Sequence, residues 1–67
     1  MEVRMRLAKN LKELRSEREW SQEHLAEECD IHRTYASDLE RGARNPSIVV
    51  IDRIASALGV PMGRLLD

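Results

Sequence analysis

The sequence predicts an all-α fold of five short helices, and three observations carry that prediction. Apolar residues recur at steps of three and four, as one face of a helix requires, beginning with Val3, Leu7, Leu11 and Leu14. Two serines, Ser21 and Ser47, stand just ahead of such stretches, where a hydroxyl can cap the free N–H groups of a first helical turn. The few Gly and Pro residues (Gly42, Pro46, Gly59, Pro61) fall between the periodic segments, where they punctuate rather than interrupt.

The first helix is expected from about Val3 to Arg18, with Lys9, Glu13 and Ser16 on the side away from the stripe and Glu2 and Arg6 at a favourable i,i+4 spacing. Arg15 sits beside the stripe, and the residues alone allow either a solvated or a paired side chain. Ser21 then caps a second helix of about Gln22 to Glu28, with Trp20 and Leu25 at hydrophobic-staple spacing. The third helical position is His24, so the reciprocal half of a capping box is missing. Leu25, Ala26 and Cys29 give this helix its inward face. Cys29-Asp30-Ile31 is too short for a free loop, so the third helix, about Arg33 to Arg41, must leave at a steep angle. The pair forms a helix-turn-helix over about residues 21–41.

In the third helix Ile31, Ala36 and Leu39 point inward, and Arg33, Thr34, Ser37 and Asp38 point outward. His32 is its boundary residue. Gly42 ends it in a C′ role and Pro46 blocks its continuation. Ser47 caps a fourth helix, about Ile48 to Leu58, with Ile48, Ile51, Ile54, Ala55 and Leu58 inward; Gly59 stops it, and Pro61 opens a short fifth helix through Leu65 and Leu66.

A chain of 67 residues with one cysteine makes a single small domain whose core is marginal and unsupported by disulfides. The lone Cys29 and the absence of a long apolar run point to a soluble protein of the cytoplasm with no membrane contact. The net charge of −1 argues against nucleic acid as a partner if taken alone. Its distribution argues otherwise. Residues 1–18 hold six basic side chains against three acidic, residues 19–30 hold five acidic and no Lys or Arg, and residues 31–46 return to Arg33, Arg41 and Arg44 against Asp38 and Glu40. Charge segregated in this way can present one positive face.

Ser21-Gln22-Glu23, Leu25-Ala26-Glu27, Arg33-Thr34-Tyr35, Leu39-Glu40-Arg41-Gly42, Arg44-Asn45-Pro46-Ser47 and Ala57-Leu58-Gly59-Val60 resemble, in order and spacing, the lambda-repressor/Cro-like (XRE) DNA-binding domain. The resemblance runs from about Leu7 to Leu66 and is strongest to the controller proteins of restriction–modification systems. It departs at two positions: Asp30 stands where the turn usually has Gly, and Ala36 where helix 3 usually has a branched apolar residue.

The resemblance implies a buried ion pair between Arg15 and Glu40. It implies base contacts in the major groove from Arg33, Thr34, Tyr35, Ser37 and Asp38, with the Arg fork suited to guanine and the Thr methyl or Tyr ring to thymine. Tyr35 has a second reading, as a packing residue compensating for Ala36. Phosphate contacts fall to Gln22, His32, Arg41, Arg44, Asn45 and Ser47. Gln22 and Arg33 also have plainer readings, as a first-turn residue and a surface charge. Val49, Val50, Val60, Met62 and Leu65 exceed what a five-helix core can hide, which points to a homodimer formed through about residues 48–66.

Other chemistry is poorly served. His24, Cys29 and His32 lack a fourth ligand for a structural zinc, no base and oxyanion donors surround Cys29, and no Gly-rich phosphate loop occurs. No metal, cofactor or catalysis is expected. Two functions remain: a regulator that binds double-stranded DNA as a homodimer, with RNA polymerase as a further candidate partner, or a helix-turn-helix antitoxin or phage-type repressor acting partly through protein contacts. The second would want a tail or groove beyond the domain, for which the sequence offers few residues.

Overall fold

A computed structural model describes residues 1–67 as five helices: α1 (Val3–Glu17), α2 (Gln22–Cys29), α3 (Arg33–Glu40), α4 (Ile48–Leu58) and α5 (Met62–Leu66). Local chemistry explains most of the boundaries. The Ser21 hydroxyl accepts from the His24 N–H at 3.0 Å and the Ser47 hydroxyl from the Val50 N–H at 3.2 Å, as the two serines predict. The Glu2 carboxylate caps α1 through the Arg4 N–H. His32 caps α3, its Nδ1 accepting from the Thr34 N–H at 3.1 Å. An accepting Nδ1 places the proton of the neutral imidazole on Nε2.

The helices stop where the backbone turns left-handed. Gly59 follows α4 at φ 71° and Gly42 lies just beyond α3 at φ 73°. Asp30, the departure from glycine, takes the same conformation at φ 55° and ends α2. Its short polar side chain tolerates this region better than most. Arg18 and Arg41, expected inside their helices, are instead the C-caps of α1 and α3. At Gly42 a side-chain methyl group would meet Met5 Sδ, which a flexible and half-exposed side chain can vacate, so the left-handed backbone is what favours glycine there.

Leu7, Leu11 and Leu14 of α1 meet Leu25 and Cys29 of α2, Ala36 and Leu39 of α3, Ile54 and Leu58 of α4, and Leu65 of α5 in one core. Three expectations fail here. Val3 and Ile48, assigned inward, are exposed, Ile48 by 71%. Ile48 lies about 120° around the helix from Ile54, at 100° per residue, and in the first turn. Leu65, assigned to a subunit interface, is 0% exposed. It is the one buried position of a five-residue helix, which packs against α1 and α4. The Asn10 amide donates to the Leu65 carbonyl and Arg6 Nε to that of Leu66, both at 2.9 Å, satisfying groups that a helix end leaves free. Arg6 is thus engaged by α5, and Glu2, its expected partner, pairs with Arg4.

The three helices nearest the turn are tied by one carboxylate. Arg15 Nε donates to Glu40 Oε2 at 2.6 Å and Arg15 Nη2 to Oε1 at 3.0 Å, a bidentate pair. The Gln22 amide donates to the same Oε1 at 3.1 Å, and Arg15 Nη1 reaches the Trp20 carbonyl at 2.8 Å. The Glu40 side chain is 2% exposed and that of Arg15 is 18% exposed. The hydrogen bond to Glu40 raises the Arg15 guanidinium above its ordinary range although burial opposes it.

Removing either partner of this pair strands the other. Arg15→Ala or Glu40→Ala should lower unfolding free energy by about 3 kcal/mol, the low end for a buried pair because Arg15 retains some water. A double-mutant cycle by urea denaturation should give strong coupling; additive losses would mean that the pair holds nothing together. Cys29 offers a second check on the core. Burial, with the Glu28 charge, pushes its thiol up to about 11. A thiol-specific disulfide reagent at pH 8 should therefore label denatured protein promptly and native protein only as it opens, whereas fast native labelling would show an open core.

Candidate nucleic-acid interface

The turn at Asp30 throws α3 across α2, and the meeting of their N-terminal ends creates a shallow concave surface. Gln22 comes from the first turn of α2, His32 from the junction, and Arg33, Thr34, Ser37 and Asp38 with Arg41 from α3 and its C-cap. No apolar residue lines it. Ala36, Leu39 and Glu40 form the buried face of α3, so helical periodicity fixes which side chains are left outside.

The donors of this surface are held at different tensions. Arg33 is exposed and has no intramolecular hydrogen bond or ion pair. Thr34 is exposed as well. Gln22 uses one amide N–H on Glu40 and keeps its second N–H. His32 spends Nδ1 on the Thr34 N–H and retains Nε2–H as a donor. Asp38 differs from all of these. Its Oδ1 pairs with Arg41 Nη2, and its Oδ2 accepts from Arg44 Nε at 3.1 Å. These hydrogen bonds, Arg41 first and Arg44 second, hold its carboxyl below the usual carboxylate range. In the free protein, then, the expected base-reading carboxylate faces its own arginines.

Arg44 also lies over the Tyr35 ring, 5.1 Å from its centroid, so Tyr35 is both half-buried against the core and a platform for a cation. The packing reading of Tyr35 thus has a physical counterpart. Ser47 accepts the Val50 N–H and keeps its own O–H to donate. Asn45 stands apart from the concave surface, beside Val3, Pro46 and Ile51 in a small cleft between α1 and α4. Cys29 is buried, and His24 stacks on Trp20 with centroids 4.6 Å apart and lies 3.6 Å from Glu28. The indole also packs against the core cluster that contains Leu25.

The sequence reading missed the bond from Gln22 to Glu40, the imidazole cap and the Asp38 clamp. The clamp had a local signal, since Asp38 and Arg41 are three apart on one helix, and so did the cap, which joins His32 to a backbone N–H two residues on. The bond from Gln22 to Glu40 depends on how α2 and α3 cross.

The helix-turn-helix family model HTH_3 matches residues 11–65. The control protein C.BamHI of Bacillus amyloliquefaciens is 48% identical over 66 residues, which cover 97% of this chain and 82% of that protein. The control protein C.MunI of a Mycoplasma species is 38% identical, covering 98% of this chain and 90% of that one. In structure, the hypothetical transcription factor NHTF from Neisseria superposes with a TM-score of 0.95 at 41% identity, over 98% of this chain and 76% of that one. The restriction–modification controller C.AhdI from Aeromonas hydrophila does so at 0.88 and 37%, over 92% and 94%. These relatives are regulators rather than enzymes, and no helix here is long and apolar enough to cross a membrane. With the helix-turn-helix geometry above, they place the chain in the lambda-repressor/Cro-like helix-turn-helix family of DNA-binding transcriptional regulators.

Proposed function

We propose that the chain is an autoregulating controller of a restriction–modification system, binding a palindromic operator as a homodimer. The observation that carries the reading is the wholly polar concave surface along the outer face of α3, with an unpartnered Arg33 at its edge. A helix laid in the major groove presents its N-terminal residues to base edges. Arg33, Thr34 and Ser37 are the base readers, and Gln22, His32, Arg41 and Arg44 hold the flanking phosphates. Likeness to the control proteins supports the controller subtype. The same reading extends to contact with RNA polymerase at the promoter.

One recognition helix reads few base pairs, and a net charge of −1 adds little general attraction. A second copy supplies what is lacking. Of the residues first assigned to a dimer, Val49 is 65% exposed, Val50, Val60 and Met62 are half-buried against the core, and Leu65 is excluded by burial. Val49 and the neighbouring Ile48 are therefore the centre of the proposed two-fold contact, which leaves α3 of each subunit free for half-sites ~34 Å apart.

Gel shifts on the chain's own promoter and on random duplex, across a salt series, test the reading of DNA. Arg33→Ala should lose about 1–3 kcal/mol of discrimination at one base pair. Arg44→Ala should weaken both duplexes alike and flatten the salt dependence by about one ion. Equal losses from both variants on both duplexes would remove Arg33 as a base reader. The dimer is tested separately by sedimentation. Val49→Glu should shift the folded protein towards monomer, and a variant as dimeric as the parent would move the contact elsewhere.

A further inference from the structure

The Asp38 clamp goes beyond the reading above, although it rests on Arg41 and Arg44 being phosphate contacts. We infer that Asp38 is a built-in phosphate mimic: its carboxylate occupies Arg41 and Arg44 in the free protein, and DNA must displace it. Both carboxylate oxygens are taken, one by each arginine, and each arginine is bound through a single nitrogen. The Asp38 side chain is only 16% exposed, whereas those of Arg41 and Arg44 are 66% and 49% exposed. A largely covered anion on the concave surface is thus held by two more exposed cations. The Tyr35 ring steadies Arg44 from another side.

The consequence follows from what a carboxylate and a phosphate share. Both accept N–H donors from guanidinium with a full negative charge, so the two compete for the same atoms. The competitor is at hand before any duplex arrives, and it lowers backbone affinity for every sequence alike. A regulator must find a few sites among a great excess of others, so attenuated backbone attraction limits its sequestration on random DNA. Asp38 acts through the arginines and needs no base of its own to read.

Asp38→Asn keeps the shape and removes the charge. Random and palindromic duplexes should both bind about 3- to 10-fold tighter at low salt, the range expected for releasing two exposed ion pairs. The plot of log Kd against log salt should steepen by about one ion. Glu13→Gln, which removes one unpaired exposed charge from α1, is the control for net charge and should change neither. In an Arg41→Ala/Arg44→Ala background the Asp38→Asn gain should vanish. Circular dichroism melts establish that each variant is folded, and Asp38→Ala repeats the test should the amide itself disturb the helix.

Unchanged or weaker binding by folded Asp38→Asn and Asp38→Ala, while Arg44→Ala still weakens all duplexes, overturns the clamp and leaves the phosphate contacts standing. A gain that persists without the arginines, or that Glu13→Gln matches, overturns it too. If Arg44→Ala has no effect on any duplex, the phosphate reading has failed and the clamp falls with it.

Discussion

The Glu40 carboxylate is the point on which the placement of α3 depends. Helix α3 has eight residues, about 12 Å of length, and buries only Ala36, Leu39 and Glu40. Two small or medium apolar side chains do little to stop so short a rod from rocking. The turn at Asp30 and the His32 cap fix its first end. Glu40 fixes the other, taking two bonds from Arg15 of α1 and one from Gln22 of α2. Because Arg15 also holds the Trp20 carbonyl, one guanidinium joins the end of α1, the entry to α2 and the end of α3. A buried ion pair is a poor source of stability compared with a well-packed apolar pair. Its geometry is what this fold uses: a planar fork against a planar carboxylate fixes both direction and rotation.

Where local chemistry decides, the sequence was sufficient. Ser21 and Ser47 cap the helices they precede because a hydroxyl reaches only its own first turn. Asp30, Gly42 and Gly59 end helices through a backbone conformation that their own residue types favour or tolerate. The order and inward faces of α2 and α3, and hence the polar outer face, were legible for the same reason. The errors lie where a residue's fate depends on another helix. Ile48 is in step with Ile51 at i+3, but in this first turn only Val50 and Ile51 pack against the core, and Ile48 and Val49 stay outside it. Leu65 looked surplus because one turn of helix has no periodicity to read, and only its packing with α1 and α4 reveals an inward side. Glu2 and Arg6 obey an i,i+4 rule worth a few tenths of a kcal/mol, which free carbonyls at the end of α5 override.

The charge pattern, so uninformative in sum, becomes specific once the helices are placed. The acidic run of residues 19–30 falls on exposed positions of α2 and its flanks, and a hollow lined by Glu23, Glu27 and Asp30 shares His32 and Arg33 with the concave surface. A duplex docking at Arg33 as proposed would meet repulsion from the acidic hollow and none from the neutral-to-positive one. Repulsion of this kind narrows the permitted orientations as much as attraction does. It also explains how a chain with no excess of basic residues can still favour one docking face.

Few cations remain free once the fold has taken its share. Arg15 is committed to Glu40, Arg6 and Arg18 to backbone carbonyls of α5 and α4, and Arg41 and Arg44 to Asp38. Arg33 is the arginine of the concave surface that no other group holds. A side chain with no partner loses more rotamer freedom on binding than one already clamped, yet it has no internal bond to break first. The committed arginines have the opposite balance: their positions are prepared, and their release is what costs. A base reader must adapt its fork to a particular pair of acceptors, whereas a phosphate contact must only be near the backbone. The division between one free arginine and two clamped ones suits the tasks proposed for them, and it follows from where Asp38 and Glu40 stand on a single eight-residue helix.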